Sequence, residues 1–426
     1  MTATREAISR DLIRQCVQCG LCLSSCPTFR LTGSELDSPR GRIFQMDLVR
    51  SGEVPSDDPD FRQHMDFCLG CRACESACPS GVQYGLLIEQ ARATIPDPRP
   101  PAGVRLLQRA VTSRRLMRLF GLATRSYQKL GLQRLARTSG LLRFLPASLR
   151  QADATLPALE GGLLAPRLQT ATPARGELRY RVAMLEGCVM PEFMSETNRA
   201  TVDVLAANGC DVIVPGKQGC CGALHLHGGD PETARRLACV NIAAFESSGA
   251  EYYLTNAAGC GSALKEYGHL LADDPDWAAR AAAFAERVRD VQEFLVMAGP
   301  VATPGPVHAR VTYQDACHLA HGQRVREQPR DLLRAIPGLE LVEMANPDYC
   351  CGSAGTYNLQ QYDASMALLD EKLAAIRETG AEVIAAANPG CIMQIAAGAR
   401  RAGMEVKVVH PMRLLADAYA RSRPAP

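Results

Sequence analysis

Eight of the eighteen cysteines in this 426-residue chain stand in two runs of one spacing. The first run is Cys16, Cys19, Cys22 and Cys26, followed by Pro27. The second is Cys68, Cys71, Cys74 and Cys78, followed by Pro79. CxxCxxCxxxCP written twice constrains the chain more than its composition does. Three closely spaced thiolates wrap one face of an iron–sulfur cube, and the fourth, ahead of proline, reaches the other cube. The runs therefore cross. Cys16, Cys19, Cys22 and Cys78 hold one cluster, and Cys68, Cys71, Cys74 and Cys26 hold the second. Thiolate is the soft ligand that such clusters select. Zinc commonly takes two separated CxxC pairs and has no use for a third cysteine at that spacing before Cys-Pro. A disulfide framework needs an oxidising compartment, and nothing in the sequence points to one.

A chain of this length has room for two or three domains. Its 47% of hydrophobic residues suits a globular protein with a sizeable core. A net charge of +2 gives no global steering of a polyanion, and no nucleic-acid partner is expected. The opening stretch mixes acids and bases and has no apolar centre of the secretory kind. The most apolar run, 383–399, is broken by Asn388-Pro389-Gly390, so no span of the bilayer is expected. A reducing, cytoplasmic home follows, where free cysteines serve metals more often than bridges.

Taken in order, residues 1–15 read as a short helix leading into the first cysteine run. Ser38-Pro39 reads as a helix start, with the helix reaching about Ser51. Arg40, Arg42 and Arg72 stand close to the cysteines. A cluster with four thiolates carries net negative charge, so a nearby cation eases its reduction. Each of the three reads equally well as a solvated surface arginine. A second helix from Pro59 delivers Cys68. The proline-rich 95–101 ends the first domain. From Arg99 to Arg150 there are eleven arginines, one lysine and no acid. Leucines and other apolar residues recur there at helical spacing, which reads as two or three basic amphipathic helices. Their apolar stripe suits the rest of this protein or a partner subunit, and it also suits an anionic membrane surface.

From about Glu177 the chain repeats itself. The first copy has Cys188, then Cys220-Cys221-Gly222, then Cys260. The second has Cys317, then Cys350-Cys351-Gly352, then Cys391, at offsets of 129, 130 and 131 residues. Matched cysteines at one period imply two copies of one domain. Strand and helix patterns alternate in each copy, which argues α/β with a largely parallel sheet. The cysteines fall where strands end, the place where such sheets carry ligands. His225, His227 and His318 stand near these cysteines as candidate imidazole ligands. The stretch 274–297 reads as a single helix carrying Trp277, a packing residue. Cys210 and Cys239 have no counterpart in the second copy and read as buried apolar residues.

With these residues assembled, the chain resembles the iron–sulfur subunit of bacterial glycolate oxidase. The resemblance rests on the eight N-terminal cysteines, on Ser38-Pro39-Arg40-Gly41-Arg42 and on the two CCG repeats, and it covers nearly the whole chain. Iron–sulfur subunits of anaerobic glycerol-3-phosphate dehydrogenase and proteins of lactate utilisation are similar in architecture, and heterodisulfide reductase uses similar CCG domains. The resemblance implies an α+β chain. Residues 1–95 form a mainly helical, ferredoxin-like domain with two [4Fe-4S] clusters, and 96–176 a basic helical connector. Residues 177–300 and 301–426 form two α/β CCG domains. It implies an electron relay of the oxidoreductase class. A partner flavoprotein oxidises glycolate to glyoxylate, and this subunit passes electrons toward a quinone, with peripheral membrane contact open. Another flavin dehydrogenase, acting on glycerol-3-phosphate or lactate, is the alternative partner. A heterodisulfide-reductase-like catalytic subunit is the alternative activity. The fullest form of the family pattern ends in CxxC, and here Ala257 and Asn388 replace the first cysteine of that pair. Each copy thus keeps four thiols rather than five. At Cys188, Cys220, Cys221 and Cys260, and at Cys317, Cys350, Cys351 and Cys391, a conventional cluster, a zinc ion or no metal all stay open.

Overall fold

The computed structural model describes residues 8–96, 101–144 and 162–422, together with 150, 153, 154, 156 and 159. The proline-rich 95–101 and the stretch 151–176 lie partly outside them. The N-terminal region is built of short helices and loops, with no strand among the described residues. The first helix, Arg10–Arg14, is capped by Ser9. Ser38 Oγ accepts from the Gly41 N–H with Pro39 at the first position, so a helix runs Pro39–Ser51. It ends at Gly52, whose φ of 83° is the left-handed turn that glycine supplies. Asp58 caps the helix Pro59–Phe67, which hands the chain to Cys68. Met46, Phe61, Met65 and Leu87 are the centre of a small core.

Three helices follow, Ala102–Thr112, Arg114–Lys129 and Leu132–Thr138. Ala110, Val111 and Met117 on their inner face share a core with Cys220 and Cys221. The arm therefore lies on the first repeat. Its outer face stays uncovered, with Leu106 67% exposed, Leu119 62% and Phe120 47%.

The first repeat is a sheet of five strands. They are β1 (Ala171–Thr172), β2 (Tyr180–Met184), β3 (Cys210–Ile213), β4 (Tyr252–Thr255) and β5 (Val288–Asp290), in the order β1-β3-β2-β4-β5. Only β1 runs antiparallel. The second repeat has β6 (Ala309–Gln314), β7 (Leu339–Leu341), β8 (Val383–Ala386) and β9 (Lys407–Val409), all parallel in the order β7-β6-β8-β9. Without β1 the two sheets have one topology. Val182-Ala183-Met184 and Ile384-Ala385-Ala386 are fully buried, as strands covered on both faces require. The two repeats pack as a pseudo-symmetric pair. Helix Ser195–Ala207 of the first lies on Pro411–Arg421 of the second, and Val291–Ala298 lies on Glu327–Arg334. At the seam the Ala258 N–H donates to the Ala387 carbonyl at 3.1 Å.

The stretch 274–297 is not one helix. Helix Ala278–Ala285 stops, β5 pairs with β4, and Asp290 restarts the chain as cap of Val291–Ala298, in a capping box with Glu293. A three-residue strand is too short to interrupt the helical spacing on either side. Cys210 is buried as expected, whereas Cys239 is only half-buried.

Asp290 and His410 occupy matching places, each capping the helix after the last strand of its sheet. Burial pulls His410 down to about 4 and pushes Asp290 up to about 6. As pH falls from about 6.5 to about 4, the unfolded chain protonates this histidine and the native state does not, so stability is lost. Asp290 acts in the opposite sense, adding stability as pH falls below about 6. His410→Asn keeps a capping side chain but removes the titration. Urea unfolding from pH 7 to pH 4 is expected to show the variant losing roughly 3 kcal/mol less than the parent.

Candidate iron–sulfur sites

The two cysteine runs fold alike. Gln18 and Gly70, at matching places, have φ of 57° and 64°, and Gly20 and Arg72 have 81° and 65°. A loop that wraps its thiols around one centre must turn left-handed twice. Gln18 and Arg72 hold that conformation without being glycine, the kind of local strain found at functional sites. Each fourth cysteine comes from the opposite loop. Cys26 is the N-cap of helix Pro27–Thr32, with Pro27 at the first position, so its side chain is turned away from its own run.

Two cavities result. One, about 300 Å³ with its open mouth included, is lined by Cys26, Cys68, Cys71 and Cys74, with Arg42, Arg72 and Tyr84. The other, about 290 Å³, is lined by Cys16, Cys19, Cys22 and Cys78, with Arg40. The first is interior, since Cys26, Cys68, Cys71 and Cys74 are all buried, whereas Cys19 of the second is exposed.

Charge is arranged differently around the two. Arg42 is 0% exposed. Its guanidinium donates to Thr28 Oγ1 (3.0 Å), the His64 carbonyl (2.7 Å) and the Asp37 carbonyl. Thr28 Oγ1 in turn sits 3.3 Å from Cys26 Sγ. Arg92 donates to the Cys68 carbonyl at 2.6 Å. Burial pushes the Cys68 thiol up, but the fields of Arg42 and Arg92, with the Gly70 N–H and the Tyr84 hydroxyl, bring it below its ordinary value. Cys71 and Cys74, without a nearby arginine to oppose it, are pushed well up by burial and by neighbouring sulfurs. At the outer cavity Arg40 is tied to Glu35 through two bonds of 2.6 and 3.2 Å and donates to the Gln18 carbonyl at 3.0 Å. Cys22 there is pushed up to about 11 by burial. The sequence did not point to Arg92, Thr28 or Tyr84. They lie outside the motif and reach the site only through the fold.

The four cysteines of each repeat also come together, at the carboxyl ends of β2, β3 and β4 and of β6, β7 and β8. In the first set the Cys221 thiol donates to Cys260 Sγ at 3.2 Å, and Cys188 and Cys220 complete the chain of contacts. In the second set Cys350 bonds both Cys317 and Cys351, and Cys391 bonds Cys351. Thiols that receive bonds are held down, and those that donate are pushed up. Cys220 falls in the first class, as do Cys317 and Cys351. Among the described residues, no three His, Cys, Asp or Glu side chains gather as a single metal ion requires. A cluster spreads its thiolates over several irons. His318 bonds Cys317, and its ring stacks on that of His227, centroids 5.2 Å apart. His225 is buried near Cys220.

The N-terminal region docks on both repeats. His227 pairs with Glu89 at 2.7 Å, Arg72 pairs with Glu266, and Arg30 pairs with Glu371. Cys71, Leu69 and Cys350 share one apolar cluster, with Cys317 packed against it. The interior cavity thus adjoins the cysteines of the second repeat.

Comparison with known proteins agrees with this organisation. Residues 13–82 match the family described as "4Fe-4S dicluster domain", and residues 182–265 and 311–396 match "Cysteine-rich domain". Residues 104–156 match "Glycolate oxidase iron-sulfur subunit, linker region". The fold and the sites thus define an iron–sulfur electron-transfer subunit of the oxidoreductase class. The "Probable glycolate oxidase iron-sulfur subunit" of Bacillus subtilis (strain 168) is 41% identical, over 97% of this chain and 96% of its own. The "Glycolate oxidase iron-sulfur subunit" of Escherichia coli (strain K12) is 34% identical over 94% of each. "Lactate utilization protein A" of Bacillus velezensis is 35% identical over 55% of this chain. The chain belongs to the glycolate oxidase iron–sulfur subunit family.

Removing Arg42 leaves buried Asp37 and the Thr28 hydroxyl short of their cation. Arg42→Ala is expected to cost about 3–5 kcal/mol in urea unfolding. Arg40→Ala, at a surface pair, is expected to leave the urea midpoint nearly unchanged.

Proposed function

We propose that this chain carries electrons, one at a time, from a flavin-containing subunit that oxidises glycolate to glyoxylate toward a quinone. The observation that carries the reading is the sorting of eight cysteines into two cavities. Each cavity takes three thiols from one run and the fourth from the other. Four soft ligands around a space of that size fit a [4Fe-4S] cluster. Cys16, Cys19, Cys22 and Cys78 would hold one, and Cys68, Cys71, Cys74 and Cys26 the other. When bound, each cluster supplies a one-electron couple.

The chain's own residues do the rest. Exposed Cys19 brings the outer site to the surface, where a partner subunit can exchange electrons with it. Leu69, Cys71 and Ala73 seal the inner site from water. Arg42 and Arg92, close to Cys68, oppose the extra negative charge that reduction brings. Glycolate is favoured over lactate as the partner's substrate because the glycolate-type relatives align over nearly the whole chain and the lactate-type one over about half. The basic arm supplies a surface near the acceptor. Its outer face carries Leu106, Leu116, Leu119 and Phe120 beside Arg105, Arg109 and Arg115, which have no ion pair among the described residues. Such a face suits anionic lipid, where each arginine contributes about 1 kcal/mol. No helix of the described residues is long and apolar enough to cross a membrane.

Two measurements check this reading. Purified alone, the chain is expected not to reduce a quinone analogue with glycolate, and to do so once the flavin subunit is added. Glycolate turnover by this chain alone would sink the relay. Flotation with anionic vesicles is expected to fall at least tenfold when Arg109 and Arg115 become Glu and Leu119 becomes Ser. Unchanged flotation removes the lipid contact.

A further inference from the structure

The outer cavity opens through a face without net charge. Residues 15–29 and 76–88, which carry its cysteines, hold no acidic or basic side chain, in a chain that is 22% charged. Among the described residues lining the cavity, Arg40 is the one ionic group besides the thiols. Its guanidinium is taken up by both carboxylate oxygens of Glu35, at 2.6 and 3.2 Å, so the two are neutral as a unit. Around this pair stand apolar side chains that the fold leaves uncovered. Val17 and Leu21, on either side of Cys19 in the cavity wall, are 67% and 59% exposed. Pro79, after Cys78, is exposed on the same rim. Phe44 lies one turn beyond Arg40 on the same face of helix Pro39–Ser51 and is 57% exposed. Leu36, next to Glu35, is exposed, and its carbonyl accepts from Gln45 at 2.9 Å, beside Phe44.

A single exposed leucine carries no message. Apolar side chains grouped around the one exposed thiol of an electron-transfer site do, because grouped exposure marks a contact surface. Absence of charge says what the contact is. Anionic lipid needs free cations, which the arm has and this rim lacks. A soluble carrier drawn in by its field needs a charged mouth. A neutral face with an aromatic at its edge has the composition of the centre of a protein–protein interface. The inner site offers no such approach, since Cys26, Cys68, Cys71 and Cys74 are all buried.

We propose that the rim formed by Val17, Leu21, Leu36, Phe44 and Pro79 is the docking surface for the flavin-containing subunit, which covers the outer site with an uncharged, apolar face of its own. The proposal rests on the electron-relay reading and adds to it the place where electrons enter. Docking there removes water from around Cys19 and leaves the basic arm free. Apolar burial holds the complex, so its affinity depends little on salt.

The test uses the full chain, purified anaerobically, with the flavin subunit in lipid-free solution. The dissociation constant, the iron content and cluster reduction by dithionite and by glycolate are read together. Leu21→Glu puts a charge in the cavity wall. Phe44→Glu puts one on the rim but off the cysteine loops, so its reading stands even where a charge at Leu21 costs the cluster. Phe44→Glu is expected to raise the dissociation constant about tenfold or more, to keep the parent's iron and its reduction by dithionite, and to slow reduction by glycolate. Leu178→Glu, at a leucine of the first repeat that is also 57% exposed, is expected to bind as the parent does. Raising salt from about 0.05 to about 0.5 M is expected to change the parent's dissociation constant less than about threefold. Parent-like binding by both Leu21→Glu and Phe44→Glu overturns the proposal. So does a tenfold weakening by salt, or binding lost in Arg109→Glu/Arg115→Glu and kept in Phe44→Glu. In each case a parent that glycolate reduces through the flavin subunit leaves the relay reading standing. A parent that binds the flavin subunit and is not reduced by glycolate defeats the relay itself.

Discussion

Coordination of sulfur is the interaction on which the N-terminal region depends. Its helices are short, it has no strand among the described residues, and its core is small. A site built from loops draws part of its stability from the metal it binds. Four thiols in each cavity supply the attachment points. The left-handed conformation costs backbone energy at Gln18 and Arg72, which are not glycine, and ligation can offset it. Arg42 does a second job for the same region. It ties helix Pro39–Ser51 to Asp37, Thr28 and the end of helix Pro59–Phe67, and so fixes the loops that carry Cys26 and Cys68.

The two repeats contribute a different kind of order. Their central strands are buried on both faces, and the two repeats share one hydrophobic core. The thiols gather at carboxyl ends of strands, beside the point where connections leave the sheet in opposite directions. A symmetric frame allows the two thiol sets to diverge. One side chain under each cysteine pair, Asn241 or Lys372, changes the local charge without changing the fold. The seam with the N-terminal region then breaks the symmetry further, since Cys350 and Cys317 of the second repeat pack with Leu69 and Cys71, whereas Cys220 and Cys221 of the first pack with the arm.

Much of this was legible in the sequence because cysteine spacing and tandem repetition survive without tertiary information. The helix from Pro39 to Ser51 could be read from Ser38 and Pro39 alone, and the central strands of both repeats from short apolar runs. β5 could not, because three residues between two helical patterns leave no periodicity of their own. The arm shows the other limit. Its apolar residues recur at helical spacing, and the sequence does not say that Val111 and Met117 turn inward while Leu119 and Phe120 stay outside. The charge around the sites was only half visible. Arg40, Arg42 and Arg72 stand inside or beside the motifs. Arg92 and Lys372 come from distant helices, and nothing in their local sequence marks them.

The central claim is that the two cysteine runs exchange their last ligand. It is tested most directly by spectra of the reduced protein carrying single serine substitutions. Cys78→Ser is predicted to abolish the same resonance as Cys19→Ser, and Cys26→Ser the same resonance as Cys71→Ser. Loss in Cys78→Ser of the resonance that Cys71→Ser removes would mean that each run closes on itself, and would contradict the account.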